Sequence, residues 1–141
     1  MNLTGKTGMN KLIVSSSEAQ SEDKSYLFDT YAFFEVIRGN PNYNSYINSK
    51  IITTIFNIAE LNYNLKKEKD RKIADEYTEK YFEFVVEVTL EDVKKAMDFK
   101  SLNRKLSIPD AIGYIIAKKY DVRFITGDKD FEYIDNVEYV K

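Results

Sequence analysis

The stretch "PDAIGYIIAKKYDVRFITGDKDF", residues 109–131, places a helix, a strand and an acidic turn in direct succession. Its first half is apolar on most sides, which predicts a largely buried helix. Residues 122–126 then have the composition of a buried strand, which Gly127 ends and Asp128 and Asp130 follow. Turns favour Asp and Gly in any case, so these acids indicate a functional site only if further acidic residues from elsewhere in the chain lie beside them.

Strands and helices alternate along the rest of the chain as well. The predicted strands are residues 24–28, 50–53, 83–88 and 122–126, with 137–140 at an edge. The predicted helices are residues 30–39, 54–70, 72–82, 89–100 and 109–120, with a helical turn or two at 42–48. This alternation predicts an α/β fold, a three-layer α/β/α sandwich with a mostly parallel four- or five-stranded sheet.

The first 23 residues differ from this pattern because they contain a serine triplet and little periodicity. We expect residues 1–23 to form a flexible N-terminal arm and residues 24–141 to form one domain. No stretch approaches the roughly 20 apolar residues of a membrane span, and the arm offers only the short run "KLIV". We therefore expect a cytoplasmic protein that has no membrane partner.

Two absences limit the chemistry, because the chain contains neither cysteine nor histidine. Thiol nucleophiles, zinc–thiolate sites and imidazole bases are excluded. A metal ion would have to be held by oxygen atoms, which favours Mg²⁺ or Mn²⁺. The formal net charge of −2 neither indicates nor excludes a nucleic-acid partner, since local patches matter more than totals.

Acidic residues follow two of the predicted strands directly. Asp29 comes after strand 24–28 and Asp128 after strand 122–126, so both should lie at the carboxyl edge of a parallel sheet. Asp110 lies in the first turn of the buried helix and reaches that edge only if the preceding loop brings it there. The four-acid set is completed by Glu60, on an apolar stripe of helix 54–70, where an inward-facing carboxylate needs a partner such as a metal ion.

Each acid also has a purely structural interpretation. Asp29 could cap the first helix, and Asp110 could form a capping box with the serine three residues before it. Asp128 or Asp130 could be turn residues, and Glu60 could pair with a lysine. Taken singly these interpretations are favoured, but four acids at the ends of separate elements are more than turns and caps require.

Three segments carry a resemblance to a known family: "YLFDTYAFFEVI" (26–37), "TTIFNIAELNY" (53–63) and "LSIPDAIGYIIAKKYDVRFITGDKDF" (106–131). They resemble the acidic motifs of the PIN-domain ribonucleases, and most of all the VapC-type toxins of toxin–antitoxin pairs. The order and spacing of the motifs make the resemblance specific, and it extends over residues 24–141.

The resemblance implies a metal-dependent endoribonuclease that uses Mg²⁺ or Mn²⁺. The implied catalytic residues and metal ligands are Asp29, Glu60, Asp110 and Asp128, with Asp130 as a substitute or water-mediated ligand and with Thr30 and Thr126 as supporting hydroxyls. The chemistry agrees, because carboxylates alone repel a phosphodiester whereas carboxylates that hold a divalent cation attract it. Four acids could support one ion or two.

The implied partners are an RNA substrate, a cognate antitoxin and a second copy of the chain in a homodimer. Aromatic residues such as Phe33, Phe34 and Tyr46 add a sequence hint of a dimer surface. The run "KKEKDRK" (66–72) is either a basic patch for RNA or, as we favour, a solvated helix face.

Three other functions compete with this one. A PIN nuclease of RNA processing would lack an antitoxin, and a PIN-like binding module would lack activity. A signalling receiver domain shares the α/β fold but needs a tandem acidic pair after its first strand, where this chain has only Asp29.

Overall fold

The structure of the protein, a computed structural model, describes residues 24–141, so the predicted arm at 1–23 lies outside the described residues. The strands in this range are β1 (Ser25–Phe28), β2 (Lys50–Ile52), β3 (Arg123–Thr126) and β4 (Val137–Tyr139). The α-helices are α1 (Thr30–Arg38), α2 (Ile55–Glu68), α3 (Arg71–Tyr81), α4 (Leu90–Leu102) and α5 (Ile108–Lys119). Short 3₁₀ helices occupy Pro41–Tyr46, Phe82–Phe84 and Lys129–Phe131.

The four strands form one parallel sheet in the order β2-β1-β3-β4. In the central pair, Leu27 lies opposite Phe124 and Phe28 opposite Ile125. The fold class expected from the alternating pattern is therefore confirmed, and β4 is an edge strand as expected.

Alternate side chains of the central strands serve two separate cores. Tyr26, Phe28 and Ile125 pack on one face against α1, α2 and α3. Leu27 and Phe124 pack on the other face against α4 and α5. This period of two, with both faces covered, is the burial pattern of a parallel sheet inside a three-layer sandwich.

The predicted strand at 83–88 is wrong. The chain forms a 3₁₀ helix at Phe82–Phe84 and then touches the sheet at one parallel bridge, between Val85 and Thr53. Its valines alternate because Val85 packs on the first core and Val86 on the second. The alternation thus reflects burial around the edge of the sheet and not a ladder of strand hydrogen bonds.

Helix α5 runs antiparallel to the strand that it precedes, since it ends at Lys119 and β3 begins at Arg123. Its first turn, with Asp110, therefore lies at the carboxyl edge of the sheet. Gly113 allows the helix to approach closely, because a Cβ atom there would lie 2.9 Å from Phe124 Cε1 and 3.1 Å from Asn57 Oδ1. No helix within residues 24–141 is long and apolar enough to cross a membrane.

The aromatic residues that hinted at a dimer surface lie in the monomer. Phe33 and Phe34 are buried in the first core. Tyr46 packs edge-on against Tyr26 and donates a hydrogen bond to Glu138 Oε2 (2.8 Å). These aromatic residues therefore give no support to a homodimer, and the prediction of a dimer rests on the family resemblance alone.

Candidate active site

The four predicted acids line one cavity of about 420 Å³ at the carboxyl edge of the sheet. Asp29 comes from the β1–α1 junction, Glu60 from the second turn of α2, Asp110 from the first turn of α5, and Asp128 from the turn after β3. Four separate elements thus each place one carboxylate in the lining of the same cavity.

Asp29 is the most deeply buried member, with only 1% of its surface exposed. Its Oδ1 atom caps α1 by accepting a hydrogen bond from the Ala32 N–H (2.8 Å). Desolvation raises the pKa of Asp29 well above its ordinary value, and the charges of Asp110 and Asp128 raise it further. Hydrogen bonds from Thr126 and Ala32 oppose this rise of the pKa without cancelling it.

Thr126 connects two of the acids. Its hydroxyl accepts the Asp128 N–H at 3.0 Å, and it acts on Asp29 by lowering the pKa of that carboxyl. Gly127 between them is buried, and a Cβ atom there would overlap the Tyr31 ring and the Val140 carbonyl oxygen. The glycine is therefore needed for close packing and not, as the pattern indicated, simply to break the strand.

Asp128 and Asp130 are placed differently. Asp128 Oδ1 accepts a hydrogen bond from the Asp130 N–H (3.0 Å) and so caps the short 3₁₀ helix. Asp130 is exposed and lines a neighbouring cavity instead of the one that contains the four acids.

Asp110 forms the capping box that its position indicated. Its Oδ2 atom accepts the Ser107 N–H (3.1 Å), and Ser107 Oγ accepts the Asp110 N–H (3.1 Å). Desolvation raises the pKa of Asp110 to about 6, against the lowering effect of these hydrogen bonds and with a further rise from Glu60 and Asp128.

Glu60 is oriented by the first helix. The Thr30 hydroxyl donates to Glu60 Oε1 at 2.7 Å and lies 3.2 Å from the Asn57 carbonyl oxygen. Asn57, which is fully buried, also pairs with Thr54 at the start of α2. Thr30 therefore fixes the direction of the carboxylate from the neighbouring helix.

Capping bonds occupy one oxygen atom in three of the carboxylates, and the Thr30 hydroxyl occupies one oxygen atom of Glu60. Within residues 24–141, Asp110 Oδ1, Asp128 Oδ2 and Glu60 Oε2 make no hydrogen bond, and none of the four acids forms a salt bridge. In the same range no three acidic side chains stand close enough together to form a ready-made cluster for a metal ion. The donor set, all carboxylate oxygens under mutual repulsion, fits a hard divalent cation in its chemistry.

Sequence reasoning missed several residues that line the same cavity. Phe34 and Arg38 follow the already expected Thr30 at intervals of four residues along α1, and the three side chains form one wall of the cavity. Arg38 is paired with Glu35 (2.8 Å) and Glu68 (3.4 Å). The helical spacing from Thr30 could have identified this wall.

Lys105 and Tyr31 also line the cavity and carried no sequence signal of their own. Lys105 lies in the connection between α4 and α5, two residues before the Ser107 cap. Its place beside the acids depends on the path of that connection, which no periodic pattern predicts.

The basic run at 66–72 has the features of a solvated helix face. Lys66 lies 3.3 Å from Asp75, and Lys67 lies over the Tyr63 ring. Two of the five cations in the run thus make local contacts, and two acids are interleaved with them, so the run is not an uninterrupted basic patch.

The chain matches the family model of the PIN domain over residues 26–137. This match extends over most of the chain, so the protein belongs to the PIN domain family. A comparison with curated proteins gave no significant match.

Solved structures with a similar fold include several toxin–antitoxin assemblies. A toxin–antitoxin complex from Klebsiella pneumoniae matches with a TM-score of 0.62 and 19% identity over 80% of this chain and 95% of that one. VapBC2 from Rickettsia felis, bound to a DNA fragment from its promoter, matches with a TM-score of 0.64 and 14% identity over 83% and 99%. VapBC-1 from nontypeable Haemophilus influenzae gives 0.61 and 14% over 82% and 96%. At these identities the likeness concerns the fold.

The raised pKa of Asp110 predicts a pH dependence of stability in the absence of divalent ions. The folded chain holds the Asp110 proton up to a pKa of about 6, whereas the unfolded chain releases it near 3.8. The free energy of unfolding should therefore fall as the pH rises from about 4 to about 7, with about 2 kcal/mol from this group. Urea unfolding of the parent and of Asp110→Asn in EDTA, across this range, measures the contribution.

The Asn side chain can still accept the Ser107 N–H, so the cap should survive the substitution. Exposed Asp98→Asn on α4 is the matched control and should keep the pH dependence of the parent. If Asp110→Asn also keeps it, Asp110 is not the group that destabilises the chain at neutral pH.

Proposed function

We propose that this protein is a metal-dependent endoribonuclease, the toxin of a toxin–antitoxin pair, which acts in the cytoplasm with Mg²⁺ or Mn²⁺. The observation that carries the proposal is the set of carboxylates from four separate elements in one cavity, with Asp29 buried and no salt bridge to it among the described residues. An uncompensated buried carboxylate is costly, and a divalent cation would compensate it.

Asp29, Glu60, Asp110 and Asp128 are the proposed ligands. A bound divalent cation would supply positive charge against the phosphate and would make a nearby water molecule a stronger acid. The Thr30 hydroxyl donates a hydrogen bond that orients Glu60, and the Thr126 hydroxyl accepts one that holds the backbone of Asp128. These two hydroxyls keep the carboxylates in place against their mutual repulsion.

Family membership supports nuclease activity, since PIN domains are generally nucleases. The similarity in fold to toxin–antitoxin complexes supports an antitoxin as a partner. RNA as the substrate and a homodimer as the assembly follow from the resemblance and stay predictions. A PIN nuclease without an antitoxin and an inactive binding module are the alternatives that the tests below separate.

The purified protein should cleave single-stranded RNA in Mn²⁺ or Mg²⁺ and should lose this activity in EDTA. Asp29→Asn should reduce cleavage at least 100-fold, because it removes charge from the most buried ligand, a loss on the order of 3 kcal/mol in transition-state stabilisation. Without metal, the same variant should unfold at a higher temperature than the parent at pH 7.5, because a buried charge is gone.

Asp98→Asn, whose side chain is exposed on α4, should cleave RNA like the parent. A parent that never cleaves RNA in either metal would leave the inactive binding module as the better proposal. Cleavage that persists in EDTA would reject metal dependence.

The two acids after β3 should differ in their effects on cleavage. Asp128 lines the cavity with a free Oδ2 atom, whereas Asp130 is exposed and faces the neighbouring cavity. Asp128→Asn should abolish most cleavage, and Asp130→Asn should only reduce it. Cleavage rates in Mn²⁺ and melting temperatures with and without metal separate the two roles.

Asp128→Asn should also leave the metal-free protein at least as stable as the parent, since it relieves like-charge repulsion. A dead Asp130→Asn beside an active Asp128→Asn would mean that the fourth ligand is assigned to the wrong residue. If both variants cleave RNA at the rate of the parent, residues 127–131 form only a structural turn and supply no ligand.

The toxin assignment predicts an effect on cells. Induced expression of the parent should arrest bacterial growth, and Asp29→Asn should not, because the arrest depends on RNA cleavage. Co-expression of the proposed cognate antitoxin should restore growth. Active RNA cleavage without growth arrest would instead favour a nuclease of RNA processing.

A further inference from the structure

A second cavity, of about 450 Å³, lies next to the one that contains the four acids. Lys105 lines both cavities and so joins them. The second cavity has a different character, because its lining includes three cations, Arg104, Lys105 and Lys129, and the aromatic ring of Tyr133.

The two segments that carry these side chains are anchored in one core. Leu106 and Phe131 are buried in the cluster beneath α4 and α5, with 2% and 0% of their surfaces exposed. Arg104 and Lys105 directly precede Leu106, and Lys129 follows Asp128. The elements that position Asp110 and Asp128 therefore also position the cations, at a fixed place relative to the acids.

The charged groups of these cations have no partner within residues 24–141. None of the three forms a salt bridge or a side-chain hydrogen bond there, whereas Lys118 and Lys119 pair with Asp135 and Asp92. Tyr133 is 92% exposed, the highest value among the large apolar side chains described. Free cations beside an unpacked aromatic ring are the combination that binds unpaired nucleotides.

We propose that this second cavity is a nucleotide subsite for single-stranded RNA. It takes the part of the strand that flanks the phosphate at the acids, with the cations on backbone phosphates and Tyr133 stacked on a base. The proposal rests on the proposed function, since it extends the substrate path from the same acidic cavity through Lys105.

Two acids, Asp130 and Glu132, also line the second cavity. They reduce the net positive charge of the cavity, so a polyanion without bases gains little binding energy there. Their oxygen atoms can accept hydrogen bonds from the amino groups of bases, which inorganic polyphosphate lacks. The lining therefore favours a ligand that has both phosphates and bases.

The experiment is fluorescence anisotropy with a labelled 12-nucleotide single-stranded RNA of mixed sequence, in EDTA so that no cleavage occurs. The double variant Arg104→Gln/Lys129→Gln should weaken binding at least tenfold. It should also lower the slope of log Kd against log salt by about 1.4, since each phosphate contact to a single strand contributes about 0.7. Tyr133→Ala should weaken binding about tenfold and leave this slope unchanged, as the loss of one stacked base requires.

Matched controls lie on the face formed by α2 and α3. Lys69→Gln/Lys72→Gln makes the same change in net charge, and Tyr63→Ala removes another exposed tyrosine, 63% exposed. Both should bind RNA within about twofold of the parent. All substituted side chains are exposed, so melting curves should match that of the parent.

The proposal is overturned if the control pair weakens binding as much as the test pair, because binding then follows net charge alone. It is also overturned if Tyr133→Ala has no effect, if duplex RNA shows the same dependence on Tyr133, or if polyphosphate binds as tightly as RNA. Because the assay contains no metal and no turnover, it is independent of the nuclease proposal. If the variants change binding as expected but the parent never cleaves RNA, the subsite is supported and the nuclease proposal is rejected. If the parent cleaves RNA but the variants bind RNA like the parent, the nuclease proposal is supported and the subsite is rejected.

Discussion

The burial of the Asp29 carboxylate is the constraint around which this edge of the sheet is built. A charge with 1% exposure is unfavourable unless hydrogen bonds or a cation compensate it. The Ala32 N–H and the Thr126 hydroxyl compensate it only in part, since desolvation and the nearby acids still raise the pKa of Asp29. Because β1 and β3 are adjacent and parallel, the residue that supports Asp29 also holds the backbone of Asp128.

Capping and the proposed metal binding are compatible roles for the same side chains. Asp29 caps α1, Asp110 closes a capping box on α5, and Asp128 caps a 3₁₀ helix. A cap fixes the carboxylate through one oxygen atom and thereby directs the other. The helix N-termini also place positive ends of backbone dipoles beside the acids, which lowers the cost of gathering them. The structural interpretation of each acid thus explains how it is held, and all four acids nevertheless line the same cavity.

The fold and the acidic cavity were largely predictable from local patterns, for a physical reason. Parallel sheets bring the carboxyl ends of their strands to one edge, and a helix that leads into such a strand must begin at that edge, as α5 does with Asp110. The prediction of a strand at 83–88 was wrong because side chains that are buried alternately in two cores give the same hydrophobic pattern as a strand. Lys105 and Tyr133 could not be predicted, since loop paths and exposure depend on tertiary packing and carry no periodic signal.

The two sides of the acidic cavity differ in their unpaired positive charge. Two cations line the acidic cavity, but Arg38 is already paired with Glu35 and Glu68, whereas Lys105 has no acidic partner among the described residues. A phosphate chain that enters along α1 and α2 meets a neutralised cation and the additional acid Glu68. One that enters past Lys105 meets unpaired positive charge first. Repulsion from the acids acts on both routes, so for the proposed RNA substrate the cations make the difference and favour the route through Lys105.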